Sequence, residues 1–346
     1  MAKRRSYSVG VAWHMGAHLS GVLILALSYV SADRVVSALR WLLFAYFLLA
    51  SLDVVLSRYH QWRFVPLTPQ PKRFALVTGA TAGLGRELAY ALAEKKFSLV
   101  LAARTAPLLE RMRAEIELVH KPVEVELCVC DLSTPSGVDT LVEFLREKNL
   151  VVDVLVNAAT DSGDGEQHPS FVDMPTDRLE EMLRVNLTAM TRLTHAVVPQ
   201  MIKRGIGFVL NLSSVGAVAA APTAAAFTAT KAFVSSFSQA LQYELRATGV
   251  NVTAFHVGAL EVNLNDPSER KKELAVGEMG PWVVHPKDCA QFALDALFNA
   301  QDVAYDSYLN QLWAFLLRAF IPTRVGHAII AISWRPLREA LSMLKR

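Results

Sequence analysis

At 346 residues the chain can hold one α/β domain of roughly 250 residues and an appendage. Its formal net charge of +3 is too small to argue for a nucleic-acid partner. Hydrophobic residues make up 52% and mean hydropathy is +0.28, high for a purely soluble enzyme, and the excess lies at the two ends. Three cysteines, Cys128, Cys130 and Cys289, exclude a disulfide framework, and no His or Cys cluster suggests a metal. His14 and His18 share a helix face but lack a third ligand.

After Lys3-Arg4-Arg5, residues 9–32 are nearly free of charge and long enough to cross a bilayer. Residues 35–56 form a second apolar stretch, interrupted by Arg40 and Asp53 toward its ends, where such side chains can snorkel to the interface. The short link between them makes residues 1–66 a helical membrane hairpin. Arg58 and Arg63 follow the second stretch, so the excess of basic residues at the outer ends puts both ends, and the domain behind them, on the cytosolic side. The competing reading is a signal peptide with apolar residues 21–30 and Val30-Ser31-Ala32 as its cleavage site; a second long apolar stretch directly behind weighs against it. Thr68-Pro69-Gln70-Pro71 then reads as a stiff linker.

Residues 74–77 are an apolar run, Thr78-Gly79-Ala80-Thr81-Ala82-Gly83-Leu84-Gly85 follows, and 86–93 are amphipathic: a strand, a glycine turn and a helix in order. Glycine lets the chain turn with φ > 0 and lets a diphosphate reach the backbone. A helix beginning near Leu84 aims unpaired N–H groups and its positive dipole end at that anion, and Thr78 can tie the turn. Thr78, Gly79, Thr81, Ala82, Gly83, Leu84 and Gly85 are therefore the candidate cradle. The pattern Thr-Gly-x-x-x-Gly-x-Gly resembles the short-chain dehydrogenase/reductase family. The resemblance implies an α/β fold, a Rossmann-type doubly wound parallel sheet over residues 67–302, holding a nicotinamide dinucleotide.

Residues 97–103 read as a strand buried on both sides, with Arg104 at its end. An acid at this place takes the ribose hydroxyls, whereas a guanidinium forks onto a 2′-phosphate, so Arg104, with Arg86 beside the turn, favours NADP(H). An Arg that merely solvates a loop is the competing reading. Strand 123–130, with Cys128 and Cys130 on one face as packing residues, runs into Asp131-Leu132, where the family's Asp bonds the adenine ring. A helix over 138–148 and a strand over 152–156 lead to Asn157-Ala158-Ala159-Thr160, where the family shows Asn-Asn-Ala-Gly; the second Asn and the Gly are missing. From Thr176, a candidate N-cap, a long helical pattern carries Asn186, which resembles the family's helix Asn that holds a water in the proton relay.

Strand 207–212 ends at Ser213-Ser214. Thirteen positions after Ser214 the family places its catalytic Tyr and, four further on, its Lys; this chain has Phe227 and Lys231. In that chemistry the Tyr hydroxyl moves a proton while the Lys lowers its pKa and the Ser orients the carbonyl. Phe227 and Lys231 share a helix face, so the frame is kept and the acid is not. Thr228 and Thr230 point off that face, and Tyr243 is four turns away. After strand 252–257 the family's Pro-Gly-x-x-x-Thr is Val257-Gly258-Ala259-Leu260-Glu261-Val262, a further hydroxyl lost. Leu132, Asn157, Lys231 and Gly258 complete the cofactor candidates; Asn186, Ser214, Phe227 and Lys231 form the catalytic set. Asn186, Asn211 and Asn251 fit the glycosylation pattern but fall in core elements.

Residues 263–284 are polar and lie where the family covers its substrate. In the tail, 303–346, residues 309–320 and 325–334 are apolar, and Leu337, Leu341 and Leu344 oppose Arg335, Arg338, Lys345 and Arg346, as in an interfacial or a dimer-packing helix. Hairpin, Arg104 and tail together resemble, over roughly 60–346, the branch of membrane-bound 17β-hydroxysteroid dehydrogenases and very-long-chain 3-oxoacyl-CoA reductases of the endoplasmic reticulum. Phe at the Tyr position is similar to the hydroxysteroid dehydrogenase-like proteins regarded as inactive. The reading is an NADP(H)-binding protein of a lipid membrane, with a homodimer or lipid-enzyme partner and little or no turnover. The alternative is a reductase of a lipid ketone, 3-oxoacyl-CoA or ketosteroid, with a substitute proton donor. Lipid-droplet and outer mitochondrial membranes would also accept the hairpin.

Overall fold

The structure is a computed structural model that describes residues 73–162, 171–218, 221, 224–261, 283–319, 321, 325–326 and 328–330, with helical positions 37, 40, 41, 44, 45 and 48. The chain divides into two compact units, Met1–Trp62 and Arg63–Arg346. Apart from those helical positions, the expected spans 9–32 and 35–56 fall outside the described residues; so do 263–282 of the covering segment and 331–346 of the tail. Among the described residues no helix is long and apolar enough to cross a membrane.

Near-continuous aliphatic runs make strands buried on both faces, and seven of them form one parallel sheet. They are β1 (Arg73–Thr78), β2 (Ser98–Ala103), β3 (Val125–Val129), β4 (Val151–Asn157), β5 (Gly207–Ser214), β6 (Val250–Val257) and, after the short pair β7 (Ala259–Leu260) and β8 (Val283–Val284), β9 (Val303–Tyr305). The order is β3-β2-β1-β4-β5-β6-β9. Helices α1 (Gly83–Glu94), α2 (Ala106–Val119), α3 (Pro135–Glu147), α4 (Thr176–Leu183), α5 (Met190–Arg204), α6 (Ala225–Leu245), α7 (Pro286–Phe298) and α8 (Tyr308–Ala319) connect or follow them.

Two apolar cores lie on opposite faces of this sheet. Leu88, Leu109, Ile116 and Leu294 bring α1, α2 and α7 onto one, and Leu141, Leu193, Met201 and Leu245 bring α3, α5 and α6 onto the other. Each fully buried side chain of this size contributes about 1.5–3 kcal/mol. The winding reverses between β1 and β4, and ligands of such sheets bind outside the carboxyl ends of the strands at that point. Thr78, Asn157 and Ser214 end their strands, and Arg104 and Gly258 directly follow theirs, so the topology carries these separate motifs to one edge.

The helical pattern from Thr176 is not one helix. Pro175 occupies the cap position, Thr176 is the first helical residue, and a π-helical turn over Arg184–Ala189 separates α4 from α5. Such widened turns recur at functional sites because they displace a side chain from the regular helical face. Asn186 sits in it.

Candidate dinucleotide and carbonyl site

Gly79 has φ +65, and a Cβ there would lie 2.8 Å from Ala159 Cα; a Cβ on Gly85 would lie 2.3 Å from the Gly79 carbonyl oxygen. Backbone packs on backbone with no room for a methyl group. Gly83, with φ +51, differs: a Cβ there would meet nothing within 4 Å. Gly83 opens α1, which has no side-chain cap and no acid in its first turn. Its first N–H groups and dipole are left for an external anion. An open cradle with uncompensated donors fits a diphosphate. Ala82 is exposed at the cap and Thr81 half-buried, while Leu84 sends its side chain into the core and offers only backbone.

Thr78 does something other than tie its own turn. Its Oγ1 donates to the Val156 carbonyl at 3.3 Å and accepts from the Ala158 and Ala159 N–H groups, both at 3.1 Å. Thr78 pairs with Asn157 across β1 and β4, so its hydroxyl reaches the neighbouring strand's turn. It thereby holds the Asn-Ala-Ala turn that lacks the second Asn and the Gly.

At the adenine end, Arg104 is exposed immediately after β2. Burial raises the Asp131 pKa, but the Ser133 N–H and O–H bonds to Oδ1, at 2.9 and 2.8 Å, and the Arg104 charge outweigh it, leaving the carboxyl below its ordinary value. Asp131 is thus an ionised acceptor. Leu132 is buried in the core beneath it.

Asn157 is also placed differently from its expected role. Its Nδ2 donates to Asn211 Oδ1 at 2.8 Å and to Thr194 Oγ1 at 3.2 Å, in a buried network that Asn211 extends to Ser238 at 2.9 Å. The alternation of β4 turns the amide into the interior, where its Oδ1 has no hydrogen-bond partner among the described residues. Asn186 is equally committed: Oδ1 accepts from Asp161 N at 2.8 Å and Thr160 Oγ1 at 3.3 Å, while Nδ2 donates to the Asp161 carbonyl at 2.8 Å and Thr230 Oγ1 at 3.1 Å. It clamps the loop after β4 to α6. Its amide has no bond to spare for the water assigned to it by resemblance.

Phe227 and Lys231 lie on one face of α6, with Nζ 5.5 Å from the ring centroid. Lys231 is buried, donates to the Leu212 carbonyl at 3.0 Å, and is held down to about pKa 8 by desolvation. Phe227 packs against the cluster of Ala221, Ala224 and Ile330, as Leu317 does. Among the described residues, the hydroxyls next to Phe227 on α6 do not take the place of a phenol. Thr228 bonds back to Ala224 at 3.0 Å, and Thr230 donates to the Phe227 carbonyl at 2.7 Å while accepting from Asn186. Tyr243 is 65% exposed beneath the Arg246 guanidinium. Ser214 accepts from Gly216 N at 3.1 Å, which leaves its O–H to donate to a carbonyl.

Gly258 closes the site through a residue the motifs did not reveal. Its N–H donates at 2.6 Å to Asp306, which is fully buried after β9 and also accepts from Asn310 Nδ2 at 2.7 Å. Burial pushes the Asp306 pKa up against these bonds. The available signal was a lone acid between an apolar strand and an apolar helix. Asn186, Asn211 and Asn251 are all buried, and no group of acids, histidines and cysteines among the described residues could hold a metal.

A doubly wound sheet with a glycine cradle at its switch point and a Ser–Lys frame beside it defines a dinucleotide-dependent oxidoreductase fold. The chain belongs to the short chain dehydrogenase family, whose model matches residues 73–273. The family is one that binds a nicotinamide cofactor. The chain is 31% identical over 259 residues, 73% of its length and 72% of the relative's, to a very-long-chain 3-oxoacyl-CoA reductase of Coprinopsis cinerea. It is 30% identical over 283 residues, 80% and 81% of the two chains, to inactive hydroxysteroid dehydrogenase-like protein 1 of Homo sapiens. Among solved structures, a short-chain dehydrogenase from Sphingobium yanoikuyae in complex with NADPH matches with TM-score 0.61 and 27% identity over 72% of this chain and 96% of that one. The resemblance drawn from the motifs is borne out, with a very-long-chain 3-oxoacyl-CoA reductase and an inactive hydroxysteroid dehydrogenase-like protein among the relatives.

Proposed function

We propose that this chain is a membrane-anchored, NADP(H)-binding short-chain dehydrogenase homologue of lipid metabolism whose ketone/alcohol oxidoreductase activity is absent or strongly reduced. The observation that carries this reading is Phe227 against buried Lys231, with Thr228 and Thr230 committed elsewhere. A bound nicotinamide would supply the hydride. The chain's own part would be to cradle the diphosphate on Gly79 to Gly85, meet the adenine end with Asp131, fork Arg104 onto a 2′-phosphate, and donate from Ser214 to a carbonyl oxygen. Among the described residues, what it lacks is a hydroxyl placed like the phenol to give or take the proton. The NADPH complex of the Sphingobium protein supports the choice of nucleotide.

The organisation we infer is an anchor over 1–66, the nucleotide-binding domain over 67–302 and a membrane- or dimer-associated tail over 303–346. The endoplasmic reticulum is the membrane that the branch resemblance favours, with the domain cytosolic. A domain protected from protease in sealed microsomes would overturn that orientation, and fractionation against lipid-droplet and mitochondrial markers tests the membrane.

A second reading rests on Lys231. An ammonium near pKa 8 that spends one N–H on Leu212 can itself give a proton to a lipid ketone, as a working reductase would require. NADPH oxidation with a long-chain 3-oxoacyl-CoA separates the two readings, comparing wild type with Phe227→Tyr in matched detergent preparations. Restoring a positioned acid is expected to raise turnover about 10²–10⁴-fold. A wild type already as fast as the variant would refute the inactive reading and favour the reductase.

A further inference from the structure

Helix α8 has two faces with different fates. Inward, Asn310 and Ala314 are buried: Asn310 holds Asp306, which holds the Gly258 N–H, and one turn beyond Ala314 Leu317 packs in the cluster that includes Phe227. One face of α8 therefore reaches the Gly258 loop and packs on the same small cluster as Phe227. Outward, Tyr308, Leu309, Leu312 and Phe315 are 87%, 41%, 53% and 47% exposed, at the three- and four-residue spacing of a helical stripe. An exposed apolar stripe beside a site marks a surface that something covers.

We infer that this stripe docks on an anionic lipid bilayer, so that α8 lies in the interface and brings the Phe227–Gly258 end of the site to the lipid surface. Charge selects this occupant. Residues 307–346 carry Arg318, Arg324, Arg335, Arg338, Lys345 and Arg346 against the single acid Glu339, more positive charge than the +3 of the whole chain. An apolar stripe in a strongly basic segment with Trp313, Phe320 and Trp334 is the composition of an interfacial binder of anionic lipid. A second copy of the chain would instead bring two such basic stretches together. The inference rests on the proposed membrane anchoring, which would hold α8 within reach of the surface.

The test uses the full chain with Leu312→Cys carrying a polarity-sensitive fluorophore. Background labelling is low because Cys128, Cys130 and Cys289 are buried. The protein is reconstituted with phosphatidylcholine vesicles, with and without phosphatidylserine, and followed by flotation, emission and quenching from nitroxides on the acyl chains. Arg111→Cys, at an exposed position on α2, is the control. Expected are flotation with both vesicles and, with phosphatidylserine, a blue shift and nitroxide quenching at position 312 but not at 111. Flotation with an unshifted label would overturn the docking while leaving the anchor standing; no flotation would remove both. A blue shift that persists in detergent and is lost on mixing with excess unlabelled chain would assign the stripe to a second copy and refute the inference.

Discussion

Adding one methyl group at Gly83 separates the cradle's binding role from its folding role. At φ +51 an alanine costs about 1–2 kcal/mol for the left-handed conformation and nothing for contact, since the space before it is open. In a domain of this size each kcal/mol lowers Tm by about 2–4 °C, so Gly83→Ala should melt roughly 2–8 °C below wild type and remain folded. Binding should suffer differently. The methyl would stand where the diphosphate must approach the first N–H groups of α1, and losing one charge-assisted hydrogen bond, about 2 kcal/mol, weakens Kd about 30-fold. Gly85→Ala is the contrast: its Cβ would press on the Gly79 carbonyl at 2.3 Å, so the turn itself must move and stability and binding should fall together. The assay pairs thermal melting with an NADPH fluorescence titration in detergent. Wild-type NADPH affinity in Gly83→Ala would refute the cradle, and a Gly85→Ala protein more stable than Gly83→Ala would refute the packing argument.

Arg104→Glu should weaken NADPH at least about tenfold by removing a charge-assisted fork, while NADH is unaffected or improved; equal losses for both nucleotides would show that Arg104 does not read the 2′-phosphate. Lys231 is held at about 8 in the fold against the ordinary 10.5, so between these pH values the unfolded chain binds the extra proton and stability rises with pH. The rise amounts to about 3 kcal/mol, and the stability difference between wild type and Lys231→Met should change by that much between pH 8 and 10.5; a flat difference would mean Lys231 is not desolvated. Thr78→Val keeps the volume but strands the Ala159 N–H group, at about 1–3 kcal/mol, and leaves the Ala158 N–H only the Val156 carbonyl, whereas Thr78→Ser should melt near wild type. Equal melting of the Val and Ser variants would remove Thr78 from the turn.

What was legible in the sequence was whatever a local pattern determines. The strand, glycine turn and helix at Thr78 to Ala93 occupy consecutive residues, and the spacing from Ser214 to Phe227 and Lys231 fixes a helix face. Lateral partners are another matter. Alternation along β4 gives the faces of Asn157 but not the neighbouring Asn211 and Thr194 that claim its amide, and β1 alone does not show that Thr78 lies beside Ala158. The π turn at Arg184–Ala189 was hidden because six residues are too few to show a periodicity of their own between two helices. Asp306 belongs to no pattern near Gly258 in the chain, and only the placement of β9 beside β6 brings the two together.

These hidden contacts change what the loss of the phenol means. Asn186 is saturated by Asp161, Thr160 and Thr230; Thr78 holds the altered turn; Asp306 holds Gly258. Each clamps a segment of the site by hydrogen bonds that do not involve the side chain of residue 227. The framework is therefore over-determined without the phenol, and a ring of nearly the same shape can occupy its place without local collapse. A buried lysine beside that ring, costly when charged and bonded to one carbonyl, keeps its place in a frame that other contacts maintain.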